Sequence, residues 1–205
     1  MSQGTFIVIE GGDGSGKTTM VDKLAMEFPD IIYTQDPGGT PFGEKIRDFI
    51  LSNETAGIDS KTEMLLFHAA RAQLVAEVIR PALKEGRAVV SNRFELSSIA
   101  YQIYGREKPE LMPMLRSISE TILEKCVPDM CIFLDVAPEI GIERIQTRAE
   151  TPTRFDNEAL AFHTRVREGY KKHIGEFGQP VVVDASRPIE EVWVDVRKAV
   201  QSAIS

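Results

Sequence analysis

The residues of this chain with the clearest chemical meaning form a glycine-rich loop near the N-terminus. In such a loop, successive backbone N–H groups surround phosphate oxygens, the lysine reaches the β- and γ-phosphates, and the next hydroxyl suits Mg²⁺. The loop follows the apolar run 5–9 and precedes a helical pattern over 18–28, whose N-terminal dipole would face the same anion. We therefore predict a site for a nucleoside triphosphate, with Thr18 as the metal ligand. Its residues are Gly11, Gly12, Asp13, Gly14, Ser15, Gly16, Lys17, Thr18 and Thr19.

A second cluster, Asp36-Pro37-Gly38-Gly39-Thr40, follows the second apolar run of the chain. Its composition alone is typical of a tight turn. Its position, however, is the carboxyl end of a predicted strand beside the phosphate loop, where ligands of open α/β sheets bind. We interpret the cluster as part of the site, and a simple turn stays the alternative.

Phe67 and Arg71 lie one turn apart on a long predicted helix and therefore share a face. A phenylalanine at this spacing usually packs in the core. Together with the arginine, this ring could instead bind a planar base, because the ring can stack on it while the guanidinium donates to a base carbonyl.

Arg93 ends the third predicted strand, within Ser91-Asn92-Arg93-Phe94. An arginine at that position can clamp a phosphate with two N–H groups, and the polar residues that follow can recognise a sugar or base. An ordinary polar loop is the alternative interpretation.

The segment from Arg148 to Arg154 is polar and contains Pro152, so it predicts a mobile loop. Two arginines on such a loop could close over the triphosphate and stabilise charge on the transferred phosphoryl group. A solvated loop without function is the alternative.

The elements that position these residues are predicted strands and helices, which alternate along the chain. Apolar runs predict five strands, and the helical patterns between them predict a parallel sheet sandwiched between helices, the α/β class of P-loop NTPase folds. Asp59 or Ser60 with Glu63 resembles a capping box at the start of the long helix. The strands are expected at 5–9, 31–33, 88–90, 131–134 and 181–183, and the helices at 42–51, 60–83, 97–104, 110–125, 138–148, 157–176 and 188–204.

Composition limits the class of protein. A length of 205 residues with 42% hydrophobic residues suits a single domain over 1–205. The net charge of −7 argues against a nucleic-acid polymer or an anionic membrane as partner. No targeting segment or membrane span is predicted, and Cys126 and Cys131 read as buried free thiols, so we expect a cytoplasmic protein.

Taken in order, these segments resemble the thymidylate kinase family, whose P-loop enzymes phosphorylate dTMP to dTDP with ATP in dTTP supply. The resemblance runs nearly end to end. It is carried by segments 6–19, 36–40, 67–71, 92–94, 100–102, 133–136 and 154–156.

The resemblance implies a role for each residue of the acceptor site. Asp13 would contact the 3′-hydroxyl of the monophosphate, Phe67 would stack on thymine, and Arg71 would reach its O4. Arg93 would hold the acceptor phosphate, and the base and sugar pocket would be lined by Pro37, Ser98, Tyr101 and Gln102.

The resemblance also implies a catalytic set and an assembly. Gly14 stands where one branch of the family has a catalytic arginine, so the pattern resembles the bacterial-type branch with a lid at about 148–156. Lys17, Arg93, Arg148 and Arg154 would then supply the transition-state charge, and the enzyme would be a homodimer.

Two segments depart from the family pattern, at three positions. Gln35-Asp36 replaces an arginine and a glutamate before the Pro-Gly-Gly turn, and Asn92 replaces an aspartate before Arg93. A kinase for a 5-modified deoxyuridine monophosphate, such as the 5-hydroxymethyl compound, is therefore one alternative. A non-catalytic ATP-binding protein is the other.

Overall fold

Five parallel strands form a single sheet, as predicted, and the structure gives their order as β2-β3-β1-β4-β5. The computed structural model describes residues 4–124, 126–147 and 151–205. Central strand β1 lies between β3 and β4, with Ile9 opposite both Asn92 and Ile132. This order places the turn after β1 where the connections diverge to the two sides of the sheet, the usual ligand position in such folds. The strands are β1 Phe6–Gly11, β2 Ile32–Gln35, β3 Val89–Asn92, β4 Met130–Asp135 and β5 Gln179–Asp184.

Helices cover both faces of the sheet. Alternate residues of β1 pack in opposite directions, because successive side chains of a strand point to opposite faces. Ile7 and Ile9 join the core beneath α1 and α9, whereas Phe6 and Val8 join the core beneath α3 and α4. The α-helices are α1 Lys17–Glu27, α2 Pro41–Leu51, α3 Ser60–Leu74, α4 Arg80–Lys84, α5 Glu95–Ser98, α6 Met112–Leu123, α7 Pro138–Gln146, α8 Leu160–His173 and α9 Ile189–Ile204.

Two predicted helices contain π-helical turns that the periodicity did not indicate. The long helix predicted over 60–83 is divided by the turn Val75–Ile79, ahead of Pro81, whose ring nitrogen donates no hydrogen bond. The helix predicted over 97–104 begins as α5 and continues as the π-helical segment Ile99–Gly105. Both π segments adjoin elements that line the site, a common location for them.

The continuous burial expected for the strands holds for the three inner strands and not for the edges. Strands β1, β3 and β4 are almost entirely buried, whereas every residue of β2 is partly exposed and Val182 of β5 is 60% exposed. An edge strand has a neighbour on one side only, so its covering is incomplete.

The prediction of a capping box at the start of α3 is correct for Asp59 and wrong for Glu63. Asp59 is the N-cap and accepts hydrogen bonds from the backbone of Lys61 and Thr62. Glu63 is instead buried, because arginines from distant parts of the chain surround it.

Across the described residues, we find no helix with the length and apolar composition that a membrane span requires.

Candidate functional site

A cavity of about 620 Å³ opens at the carboxyl ends of the strands. Its lining includes the phosphate loop, the ends of β2 and β3, and one face of α3. It therefore joins the two groups of predicted residues, those expected to bind a triphosphate and those expected to bind a monophosphate. Of the predicted set, the lining contains Asp13, Gly14, Ser15, Gly16, Lys17, Thr18, Thr19, Pro37, Phe67, Arg71, Arg93, Ser98, Tyr101 and Gln102.

The phosphate loop depends on glycine at Gly14 and Gly16, which have φ of 72° and 91°. These left-handed conformations favour a residue without Cβ. At Gly14 a Cβ would also lie 2.1 Å from the carbonyl oxygen of Gly141 in α7. An arginine at this position would require α7 to move, which fits an arrangement whose catalytic cations come from elsewhere.

Lys17 is the first residue of α1, and its ammonium group lies inside the loop. It donates to the carbonyl oxygens of Gly11 at 3.1 Å and Gly12 at 2.8 Å, and to the Ser15 hydroxyl at 3.3 Å. The hydroxyl-bearing Thr18 and Thr19 follow it and are exposed to the cavity. The loop and the start of α1 thus bring a positive charge and hydroxyl-bearing residues to the same cavity.

Asp13, Arg93 and Tyr101 form one cluster, although they come from three separate segments. Arg93 donates to Asp13 at 2.6 Å and to the Tyr101 hydroxyl at 3.0 Å, and Tyr101 donates to Asp13 at 2.8 Å. Burial by itself would raise the pKa of Asp13, but the charges of Arg93 and Lys17 lower it overall. Asp13 is therefore a carboxylate near neutral pH.

Arg93 adopts an unusual backbone conformation, with φ of 70°. A non-glycine residue there is strained, and such strain is typical of functional sites. The conformation directs the side chain back across the phosphate loop, where Nη1 donates to the Gly11 carbonyl at 2.8 Å and to the Tyr170 hydroxyl at 2.7 Å.

Arg71 is 1% exposed and is held by two carboxylates. Nε donates to Asp36 at 2.5 Å, and Nη1 donates to Glu95 at 2.6 Å. Nη2 donates to the Phe94 carbonyl at 3.3 Å and to the Ser98 hydroxyl at 2.9 Å. A guanidinium has five N–H donors. One N–H of Nη1 is therefore the donor that these contacts leave for a ligand in the cavity.

Sequence reasoning missed Glu10, the buried carboxylate before the loop. It accepts from the Phe94 N–H at 2.8 Å and the Ser97 N–H at 3.3 Å, at the start of α5, which has no side-chain cap of its own. Burial raises the pKa of Glu10, although the Ser97 hydroxyl and Arg93 oppose this shift. Its partners lie more than 80 residues away, so no local pattern identifies it.

The base-sized end of the cavity is lined by Phe67, Phe155, Ser98 and Gln102. The Phe67 ring is partly buried, and its centroid lies 6.1 Å from that of Phe155. Both interpretations of Phe67 thus apply, because it packs on a core cluster and also faces the cavity.

A mobile polar loop would leave Arg154 exposed, but its side chain is buried. It is 6% exposed, donates to Glu63 at 2.6 Å and stacks on Phe155 at 4.2 Å. The expectation that nothing anchors this segment is therefore wrong at Arg154, since Glu63 supplies a buried carboxylate. Arg154 is not part of the described cavity lining. Arg148 and residues 149–150 lie outside the described residues.

Three arginines in the lining were not predicted: Arg47, Arg144 and Arg187. Arg47 of α2 donates to the Pro37 carbonyl at 2.9 Å, and burial lowers its pKa. It provides a cation near the position where Gln35 removes one. No local pattern singles out Arg47, because whether an arginine of α2 points back to the Pro-Gly-Gly turn depends on the direction in which the helix leaves that turn.

Gln35 and Asn92, which depart from the family pattern, both lie at the cavity and have different surroundings. Gln35 donates to Glu44 at 3.1 Å, and Glu44 also accepts from the Gly39 N–H at 2.7 Å. Asn92 lines the cavity, and its buried Oδ1 receives no hydrogen bond from the described residues. A buried acceptor without a donor favours a ligand or water at that point.

Comparison with known proteins agrees with this geometry. The sequence profile of the thymidylate kinase family matches residues 9–196. Thymidylate kinase of Clostridium novyi (strain NT) is 39% identical over 203 residues, which cover 96% of this chain and 98% of that protein. Thymidylate kinase of Geobacillus thermodenitrificans (strain NG80-2) is 40% identical, over 98% of this chain and 91% of that protein. Thymidylate kinase of Lactobacillus helveticus (strain DPC 4571) is 42% identical, over 93% and 92%.

Proposed function

This chain belongs to the thymidylate kinase family, and we propose that it transfers the γ-phosphoryl group of ATP to dTMP, forming dTDP for dTTP supply. One observation carries the proposal: a single cavity joins the phosphate loop to the cluster of Asp13, Arg93 and Tyr101. A protein that only binds ATP has no need of the second half of this cavity.

The acceptor needs positioning more than activation. The second pKa of a phosphate monoester is about 6, so the attacking oxygen of dTMP is already ionised near neutral pH. Arg93 would hold this phosphate, and Asp13 would accept from the sugar 3′-hydroxyl. Rate acceleration then comes from alignment and from neutralisation of charge by Lys17 and Arg93.

Mg²⁺ is part of the proposal because the described residues fit it. Thr18 exposes its hydroxyl to the cavity next to Lys17, and Asn92 offers a buried acceptor oxygen without a donor. Thr18 would bind the ion directly, and Asn92 would accept from a water bound to it. When bound with ATP, Mg²⁺ neutralises charge on the β- and γ-phosphate oxygens.

Base recognition would use Phe67, Arg71, Ser98 and Gln102. Phe67 stacks on the thymine ring, and the remaining N–H of Arg71 donates to O4. Ser98 accepts from Arg71, which leaves its own O–H proton for the base. Gln102 accepts from the N3–H of thymine.

The remaining features of the proposal concern the lid, the assembly and the compartment. Residues 1–205 act as one domain with a lid segment at about 148–156, and the roles of Arg148 and Arg154 in stabilising the transition state stay predictions.

The proposed homodimer is supported by exposed apolar side chains on adjacent helices, and sedimentation analysis would test this assembly. These side chains are Phe42, Phe49 and Leu65. Both described cysteines are free and buried, which fits the reducing cytoplasm.

A panel of acceptors tests the proposal. ATP with Mg²⁺ is supplied with dTMP, dUMP, 5-hydroxymethyl-dUMP or dCMP, and ADP formation is measured. We expect the highest kcat/KM with dTMP and very little ADP without an acceptor. A preference for 5-hydroxymethyl-dUMP would favour the first alternative. ADP release that is independent of any monophosphate would contradict the kinase assignment.

Replacement of Phe67 tests the base-stacking role. Phe67→Ala should raise the KM for dTMP by roughly 10- to 100-fold, because stacking of one base on an aromatic ring contributes about 1–3 kcal/mol. The KM for ATP should stay unchanged. Phe67→Leu keeps the apolar bulk and lacks the ring, so it should also raise the KM for dTMP. Equal weakening of both nucleotides would instead identify Phe67 as a packing residue.

A further inference from the structure

Glu63 is a buried carboxylate that lies behind the base end of the cavity. It is 1% exposed, and it is not part of the described lining. Oε1 accepts from the Gln102 side-chain amide at 2.9 Å, and Oε2 accepts from Arg154 at 2.6 Å and Arg106 at 3.2 Å. Glu63 therefore contacts Gln102, which lines the cavity, although Glu63 is not itself among the described lining residues.

Two arginines keep this carboxylate charged. Burial by itself would raise the pKa of Glu63, but the charge of Arg106, the hydrogen bond from Gln102 and the charge of Arg154 lower it overall. An ionised carboxylate only accepts hydrogen bonds. Any group that Glu63 contacts must consequently present a donor to it.

This restriction decides how the Gln102 amide is oriented. A glutamine amide has an NH₂ group at one end and a carbonyl oxygen at the other. Because Glu63 takes the NH₂ end, the carbonyl Oε1 is left for the cavity that Gln102 lines. The base end of the cavity thus presents an acceptor at this point.

An acceptor here distinguishes two pyrimidines by their hydrogen-bonding edges. Thymine carries an N–H at N3, which donates to a carbonyl oxygen. Cytosine has an unprotonated nitrogen at N3, so it would place an acceptor against an acceptor. A site with fixed polar groups strongly rejects a base that leaves those groups unpaired.

We propose that Glu63 is a specificity-determining positioning residue, which fixes the orientation of the Gln102 amide and thereby selects a base with an N3–H donor. The inference rests on the proposed function, since it concerns how the same site recognises dTMP.

The first test is Glu63→Gln, which replaces an obligatory acceptor with an amide that can either donate or accept. Gln102 could then present either end to the cavity. We expect the ratio of kcat/KM for dTMP to that for dCMP to fall about tenfold, with the KM for ATP unchanged. Loss of packing alone would weaken both acceptors and leave this ratio unchanged.

A double variant keeps the test valid if Glu63→Gln is less stable. Glu63→Gln with Gln102→Glu exchanges the two groups, so the carboxylate at position 102 presents an acceptor to the cavity again. We expect this exchange to restore most of the preference for dTMP over dCMP. Glu158→Gln is the matched control, because it makes the same substitution at a carboxylate that pairs with Arg106 and leaves both arginines on Glu63.

The outcomes are distinct. A lowered ratio in Glu63→Gln, restored by the exchange and unchanged in Glu158→Gln, supports the inference. An unchanged ratio in Glu63→Gln, or an equal fall in Glu158→Gln, overturns it and leaves the kinase assignment intact. Failure of the unaltered protein to phosphorylate dTMP would instead contradict the proposed function.

Discussion

Lys17→Ala should reduce kcat with ATP and dTMP by about two to three orders of magnitude, the loss expected when one preorganised electrostatic contact to the transition state is removed. The ammonium group lies within the phosphate loop, against the carbonyl oxygens of Gly11 and Gly12. The ammonium group is held in place before negative charge develops on the transferred phosphoryl group. Its removal should therefore destabilise the transition state more than it weakens substrate binding.

The fold should survive this change. Lys17 is the first residue of α1, and its side chain contacts the cavity as well as the loop. We expect a melting temperature close to that of the unaltered protein, measured together with kcat. Lys23→Ala is a matched control on the same helix, because Lys23 pairs with Glu190 and is not among the described lining residues. Near-normal turnover in Lys17→Ala would remove Lys17 from the proposed mechanism.

Arg93→Met should lower kcat/KM for dTMP by about 10²- to 10³-fold, because Arg93 is proposed to hold the acceptor phosphate. Methionine keeps much of the bulk and removes the charge. Arg93→Lys should recover only part of the loss, since an ammonium group lacks the planar fork that binds two phosphate oxygens. Arg165→Met controls for the loss of an arginine, because Arg165 donates to the Gly105 carbonyl and is not among the described lining residues.

Arg93→Met should also change the pH dependence through Asp13. Arg93 is the largest of the influences that lower the Asp13 pKa, so its removal should raise that pKa. Because the proposed contact uses the carboxylate, kcat/KM falls as pH decreases through the Asp13 pKa. Protonation of the dTMP phosphate, with a pKa of about 6, also shapes the acid limb of this profile, so the Asp13 pKa is measured directly by NMR titration of its carboxyl carbon. We expect a higher Asp13 pKa in Arg93→Met than in the unaltered protein, and an unchanged value would show that Arg93 does not hold Asp13 in its ionised form.

Much of the fold follows from local patterns. The phosphate loop, the five strands and the alternation of strand and helix depend on short-range features: apolar runs, glycine positions and helical periodicity. The parallel sheet is a consequence of that alternation, since parallel neighbours require a crossover between them. The π-helical turns were not predicted, because the spacing of apolar residues does not separate a π turn from an α turn, and only Pro81 gave a local signal that the long helix is interrupted.

The residues of the candidate site show the same division between those that local motifs predict and those that depend on tertiary contacts. Asp13, Lys17, Phe67, Arg71 and Arg93 were identified from their motifs, and all of them line one cavity. Arg47 was missed because its relevance depends on the direction in which α2 leaves the turn at Pro37. Arg154 was predicted to lie in a mobile loop, but it is buried against Glu63, which lies 91 residues earlier.

The phosphate loop, the parallel α/β sheet and the residue types that a nucleotide kinase needs could therefore be predicted, because each of these is a property of short segments. Which of those residues act together depends on the tertiary structure. Asp13 meets Arg93 and Tyr101, and Glu63 meets Gln102, through contacts between segments far apart in the chain. Such contacts depend on how buried charges find their partners during packing, and no local pattern encodes that choice.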